Sequence, residues 1–223
     1  MRAGLLLIGA GLAVAATPWA RRRYVTWGAT PEEITGRLPG DDLLPDAGLV
    51  STRAVTIDAP PSAIWPWLVQ MGSGRGGAYT YDWIENLFGL NMHSIDEILP
   101  QFQNLAVGDS LPLGSRGPAM RVEICDRDRT LAFRSEDDAW VWIFHLRPCG
   151  PGTRLISRNR IVPPGSSRIA RALYDAVMAP GSLLMERRML QGIKHRAETS
   201  GSAGCLRPHR GHRVVSSGAN SPG

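Results

Sequence analysis

From Met120 to Ile161 apolar and polar residues trade places with a period of two, and this run constrains the fold more than any other feature. Met120, Val122 and Ile124 alternate with Arg121, Glu123 and Cys125. A tight turn falls at Asp126 to Arg129, and Leu131 and Phe133 then alternate with Ala132 and Arg134. Residues 140–146 are apolar on both faces apart from His145, as a central strand is. Residues 153–161 return to alternation, with Arg154, Arg158 and Arg160 outward and Leu155, Ser157, Asn159 and Ile161 inward. Short turns between such runs predict an antiparallel meander with one face open to water. Its Met120, Phe133 and Trp142 face needs a cover, and residues 166–198 supply a helical pattern. Ser166 or Ser167 is the expected N-cap, and the apolar positions include Leu184, Met185, Met189 and Ile193. A break or kink is expected at Pro180-Gly181.

Upstream, Val55 and Ile57 mark a strand over residues 52–58. Ser62 is placed to cap a helix over residues 63–71, with Pro66 in its first turn. Residues 72–77, rich in glycine, read as a loop, and residues 81–88 and 94–99 as short helices. Residues 24–49, with Leu38-Pro39-Gly40-Asp41 and Leu44-Pro45-Asp46, form a connector of turns. Residues 199–223, rich in Ser, Gly, Arg and Pro, are expected to be disordered. The chain thus divides into 1–23, 24–49, a domain over 50–198, and a tail.

Residues 3–20 carry no charge and include Leu5, Leu6, Leu7, Ile8, Leu12 and Val14, enough helix to cross a bilayer's hydrocarbon. Arg21, Arg22 and Arg23 follow directly, which favours an uncleaved anchor with the domain on the cytoplasmic side. The alternative is a secretory signal peptide cut at Ala13-Val14-Ala15.

The net charge of +5 does not make this a nucleic-acid binder. Arg2, Arg21, Arg22, Arg23 and the tail arginines Arg207, Arg210 and Arg213 account for the excess, so residues 24–198 hold 18 of the 25 basic groups against all 20 acids. Three cysteines, Cys125, Cys149 and Cys205, without CxxC spacing argue against structural zinc or a disulfide scaffold. The histidines lack metal-ligand spacing, and no G-x-S-x-G elbow supports hydrolysis. Gly72 to Gly77 is no nucleotide loop, because it follows a helix and the only lysine is Lys194. No cofactor is expected.

Seven Trp and seven Met suit a deformable apolar pocket. The polar clue is Ser157 and Asn159, which fall on the inward face and must find a partner there, a ligand being one candidate. The expected ligand contacts are Met71, Arg75, Tyr81, Trp83, Met120, Trp142, Phe144, Ser157, Asn159, Met185 and Met189.

The run Trp65-Pro66-Trp67-Leu68-Val69-Gln70-Met71-Gly72, with Arg75, Gly77, Tyr79, Tyr81 and Asp82, Gly108-Asp109, and residues 185–194 near the end, resembles the START-like (SRPBCC) superfamily. In particular it resembles bacterial proteins of the polyketide cyclase/dehydrase-like group. The upstream Trp27-Gly28-Ala29-Thr30 and Leu38-Pro39-Gly40-Asp41 are similar to membrane-anchored members. The resemblance implies an α+β helix-grip fold, a curved antiparallel sheet around a long C-terminal helix with an internal cavity. It implies binding or transport of a hydrophobic small molecule, lipid or polyketide-like, at the membrane. The alternative is a cyclase or dehydratase using Tyr81, Asp82, His93 or Asn159 for proton transfer. A third reading, a scaffold, applies if side chains fill the cavity.

Overall fold

In a computed structural model, residues 18–87, 89–114, 119–163 and 168–204 are described. Six strands form one antiparallel sheet in the order β1-β6-β5-β4-β3-β2, where β1 is Leu49–Ile57, β2 Ser110–Pro112, β3 Ala119–Asp126, β4 Thr130–Ser135, β5 Trp140–Cys149 and β6 Gly152–Ile161. The meander was legible from its alternation, and β1 closes it by pairing with β6 along its whole length. The long helix α5, Arg168–Gly204, packs on the inward face, which fits the helix-grip fold. The other α-helices among the described residues are α1 (Pro18–Val25), α2 (Pro31–Thr35), α3 (Pro61–Val69) and α4 (Asp82–Leu87).

The main core lies between sheet and helices. Trp67, Leu68 and Ile64 of α3, Leu131, Phe133, Phe144 and Leu155 of the sheet, and Met189, Leu190, Ile193 and Ala197 of α5 are all buried in it. The buried positions of α5 recur at three- and four-residue spacing, so one stripe faces the sheet.

Several expectations change. The outer face of the sheet is not open to water. Residues 33–45 lie against it, and Leu43 and Leu44 pack with Ala132, Val141 and Ile143 in a second small core. Arg158, expected outward and wet, is therefore only 2% exposed. It donates to Asp41 at 2.6 Å, to the Thr52 hydroxyl at 3.0 Å and to the carbonyls of Gly36 and Glu33. Arg154 grips both oxygens of Glu33 at 2.8 Å, and Arg147 adds a bond at 2.9 Å. Glu33 is held for them by α2, where Thr30 and Glu33 form a reciprocal capping box.

Ile124 does not share a face with Met120 and Val122, because the register shifts between Val122 and Ile124 and turns Ile124 outward. Helix α3 starts at Pro61 with Pro60 as its N-cap residue, so Ser62 lies inside it and Pro66 is its sixth residue. Helix α5 runs unbroken through Pro180-Gly181 and continues to Gly204, past the expected end at Glu198. Its proposed caps Ser166 and Ser167 lie outside the described residues.

Residues 94–99 are not a helix. Buried Gln70 takes up their backbone instead, donating to the Glu97 carbonyl at 3.0 Å and accepting from the Leu99 amide at 3.0 Å, while Asp82 accepts both the amide and the hydroxyl of Ser94. Among the described residues no helix is long and apolar enough to cross a membrane, so the expected transmembrane helix is not found there. Residues 3–17 of that segment, like residues 205–223 of the tail, lie outside the described residues.

Candidate functional site

Two features meet on the inward face of the sheet: a small apolar cavity and, behind its wall, a buried polar cluster. The cavity lies between β2–β5 and the loop that follows α3, lined by Met71, Gly72, Ala78, Met92, Leu111, Leu113, Met120, Phe133 and Trp142. Its volume is about 30 Å³. That is room for about one water molecule, whereas drug-sized ligands occupy pockets of about 300–1,000 Å³. The expected ligand cavity is therefore mostly filled by side chains, and nothing the size of a lipid enters it in this arrangement. No lining residue has a side chain that titrates near neutral pH.

The loop at its edge is set by glycine. Gly72 and Gly77 form an isolated antiparallel bridge, and Gly77 has φ +76 with its Cα pressed so close to His93 and Ser94 that a Cβ would meet backbone at 2.6–2.7 Å. Tyr79, buried beneath, donates its hydroxyl to the Trp67 carbonyl at 3.0 Å and packs edge-on to the Trp67 ring. Burial pushes its phenol well above the usual range.

The polar cluster centres on Glu186 of α5, 7% exposed. Ser157 donates its hydroxyl to Glu186 Oε1 at 2.5 Å, and Asn159 Nδ2 lies 3.2 Å from both carboxylate oxygens. Arg53 of β1, 1% exposed, pairs with Oε2 and also reaches the Ser182 hydroxyl at 2.9 Å and the Tyr24 carbonyl at 3.0 Å. Two stacked indoles complete the cluster. Trp142 Nε1 donates to Ser157 at 3.0 Å and Trp140 Nε1 to Asn159 Oδ1 at 2.8 Å, with the rings 5.6 Å apart. Burial pushes the Glu186 carboxyl upward, opposed by the charge of Arg53 and by the hydrogen bonds from Ser157, Arg53 and Asn159.

Of the expected ligand contacts, the structure brings Met71, Met120 and Trp142 to the cavity. Phe144 lies behind them, 4.8 Å from Trp142, and Met189 is core. Ser157 and Asn159 do face inward, but their partner is Glu186, not open space. Met185, next to Glu186 on α5, is half-buried and is not in the cavity wall.

The remaining three expected contacts lie elsewhere. Arg75 donates to the carbonyls of Val69 at 2.9 Å and Phe102 at 3.4 Å and lies over the Phe102 ring; it pairs with neither Asp82 nor Glu85. Tyr81 sits under Arg188, and Trp83 is 70% exposed. The proton-transfer alternatives fare no better. Asp82 is committed to Ser94, His93 is exposed, and neither lines the cavity.

Sequence reasoning missed Glu186 and Arg53. The available signal was phase: Glu186 precedes Met189, Leu190, Ile193 and Ala197 on the buried stripe, and Arg53 takes the inward position next to Val55 and Ile57. Among the described residues no cluster of His, Cys, Asp and Glu could hold a metal ion.

No family model matches this chain, and no curated protein matches it. Solved structures do. The Aha1 dimer from Colwellia psychrerythraea is 13% identical over 67% of this chain and 96% of that chain, with a TM-score of 0.40. A protein from Chromobacterium violaceum is also 13% identical, over 67% of this chain and 98% of that one, at 0.45. The Polyketide_cyc-like protein from Corynebacterium glutamicum is 14% identical over 73% and 97%, at 0.35. These likenesses are distant, and the helix-grip description rests on the strand order and the packing of α5.

Proposed function

We propose that this chain is a binding module for a small apolar molecule, taken up in the cavity between β2–β5 and the Gly72–Gly77 loop, and held at a membrane by its N-terminal segment. The observation that carries this reading is the composition of the cavity wall. Met71, Met92 and Met120 surround the void, and unbranched thioethers can swing aside to enlarge it without breaking hydrogen bonds. The one polar group of the wall's side chains, the Trp142 indole N–H, already donates to Ser157, and Asn159 behind it is held by Glu186. A cyclase or dehydratase needs a proton carrier facing its substrate, and the wall offers none. The tether is supported by the uncharged stretch at residues 3–20 and the three arginines after it.

Titration of the protein with an uncharged naphthylamine probe tests the cavity. Saturable binding near one-to-one is expected, lost in Leu113→Trp, which places an indole in the half-buried part of the wall. Absence of saturable binding to the unaltered protein would sink the reading.

A further inference from the structure

We infer that the folded domain has its own docking face for an anionic lipid bilayer, built from α1, α4 and the middle of α5. This goes beyond apolar binding in the cavity and stands without it.

The face is continuous. Along α5, Leu184, Arg187, Arg188 and Gln191 are exposed at helical spacing and form one stripe. Arg187 reaches over the Trp27 ring at 5.2 Å, which ties the stripe to the end of α1. Arg188 lies over the Tyr81 ring at 5.7 Å, which ties its other side to α4. On α4, Trp83 and Leu87, one turn apart, are 70% and 76% exposed, and Leu184 is 51% exposed. Apolar side chains exposed singly, like Val107, are ordinary; here three occur on elements that Arg187 and Arg188 join.

Basic groups predominate on the helices of this face; the exposed acids nearby, Asp96, which pairs with Arg196, and Glu97, belong to the loop that follows α4. Helix α1 contains no acid and presents exposed Arg22. The acids of α4 turn inward, Asp82 to Ser94 and Glu85 into the interior. Between residues 181 and 197 of α5 the only acid is Glu186, and it is buried on Arg53. Exposed Trp and Leu ringed by Arg suit an interface where rings and aliphatic groups enter the headgroup layer and guanidiniums meet phosphates. The uncharged segment at residues 3–20 also runs into helix α1, whose arginines begin at Arg21. Because Ala78 and Met92 flank α4 in sequence and line the cavity, docking sets the cavity's cover against the bilayer.

The test uses the full chain with one labelled cysteine. Leu87→Cys, in a background of Cys125→Ala, Cys149→Ser and Cys205→Ser, carries an environment-sensitive dye. A second protein keeps only the natural, exposed Cys149, at the turn near Asp58 where β5 meets β6. Arg188, over the Tyr81 ring at the start of α4, lies 10 residues, about 15 Å, along α5 from Glu198, which holds the Asp58 amide beside the β5–β6 turn, so the Cys149 dye reports from farther along the domain.

On vesicles of phosphatidylcholine with about one quarter phosphatidylglycerol, lipid-borne quencher should dim the Leu87 dye at least about twofold more than the Cys149 dye. Arg187→Gln with Arg188→Gln should remove that difference. Equal quenching at both sites overturns the proposal. So does a Leu87 dye that is dry without vesicles in proportion to protein concentration, which would mean a second copy covers the face. Trp83→Cys repeats the measurement if the first labelled protein has an altered urea midpoint.

Discussion

Ser157 and Glu186 share a 2.5 Å hydrogen bond across the boundary between sheet and helix, and through it the indole of Trp142 in the cavity wall is tied to the middle of α5. The two residues are separated by a strand end, a loop and half a helix in sequence. Their contact makes the inward face of β6 a polar seat in an otherwise apolar core.

Glu186→Ala should cost about 3–5 kcal/mol in urea unfolding, because it leaves Arg53 buried without a counter-charge. Replacing both partners, Arg53→Met with Glu186→Leu, should return most of that loss. A single variant as stable as the unaltered protein would show that the pair is not buried as described.

Asn159→Leu separates a structural role from ligand contact. Trp140 and Glu186 would each lose a hydrogen-bond partner, so the urea midpoint should fall by the equivalent of about 1–3 kcal/mol while probe affinity is unchanged. A change in probe selectivity at constant stability would instead put Asn159 at the ligand.

Acid should loosen the outer face. Burial alone would raise the Glu33 carboxyl, but hydrogen bonds from Arg154 and from the Thr30 amide, with the charges of Arg154 and Arg147, outweigh it and hold Glu33 below its ordinary value. A carboxyl lowered on folding contributes stability that is present above the unfolded value and lost as pH falls through the folded one. Urea midpoints should therefore drop as pH falls below about 4.5, and less steeply in Glu33→Gln, which has no such proton to take up. Parallel curves for the two proteins would contradict this.

Gly28→Ala should destabilise by more than about 1 kcal/mol. Gly28 has φ +73, and a Cβ there would lie 2.2 Å from the Ala54 carbonyl oxygen, so the segment carrying α2 must shift off β1. Gly74→Ala, at φ +70 but with nothing within 4 Å, is the control: it feels the backbone term alone and should lose less.

The alternation of residues 120–161 made the meander legible, because one buried face imposes a period of two on the strands. Ser157 and Asn159 were likewise placed inward correctly. What they touch was not legible, since Glu186 stands in Met185-Glu186-Arg187-Arg188, a run that reads as a solvated helix face until the helix is rotated onto the sheet. The bulge after Val122 was hidden for a similar reason: Ile124 is as apolar as its neighbours, and only a second core on the outer face reveals which way it points. That second core was obscured by the arginines of β6, whose outward phase suggested water. Arginine on a strand says only that a counter-charge is near, and here Asp41 and Glu33 supply it from far upstream.

The way residues 33–45 cover the sheet bears on how this sequence can vary over descent. A drift at Glu33 strands Arg154, a drift at Asp41 strands Arg158, and either leaves charge sealed beneath a loop that cannot rehydrate it without lifting from Ala132 and Ile143. Positions some 120 residues apart are thus bound to change in pairs. In related chains the leading segment and β6 should carry a shared signature, inherited or lost as a unit.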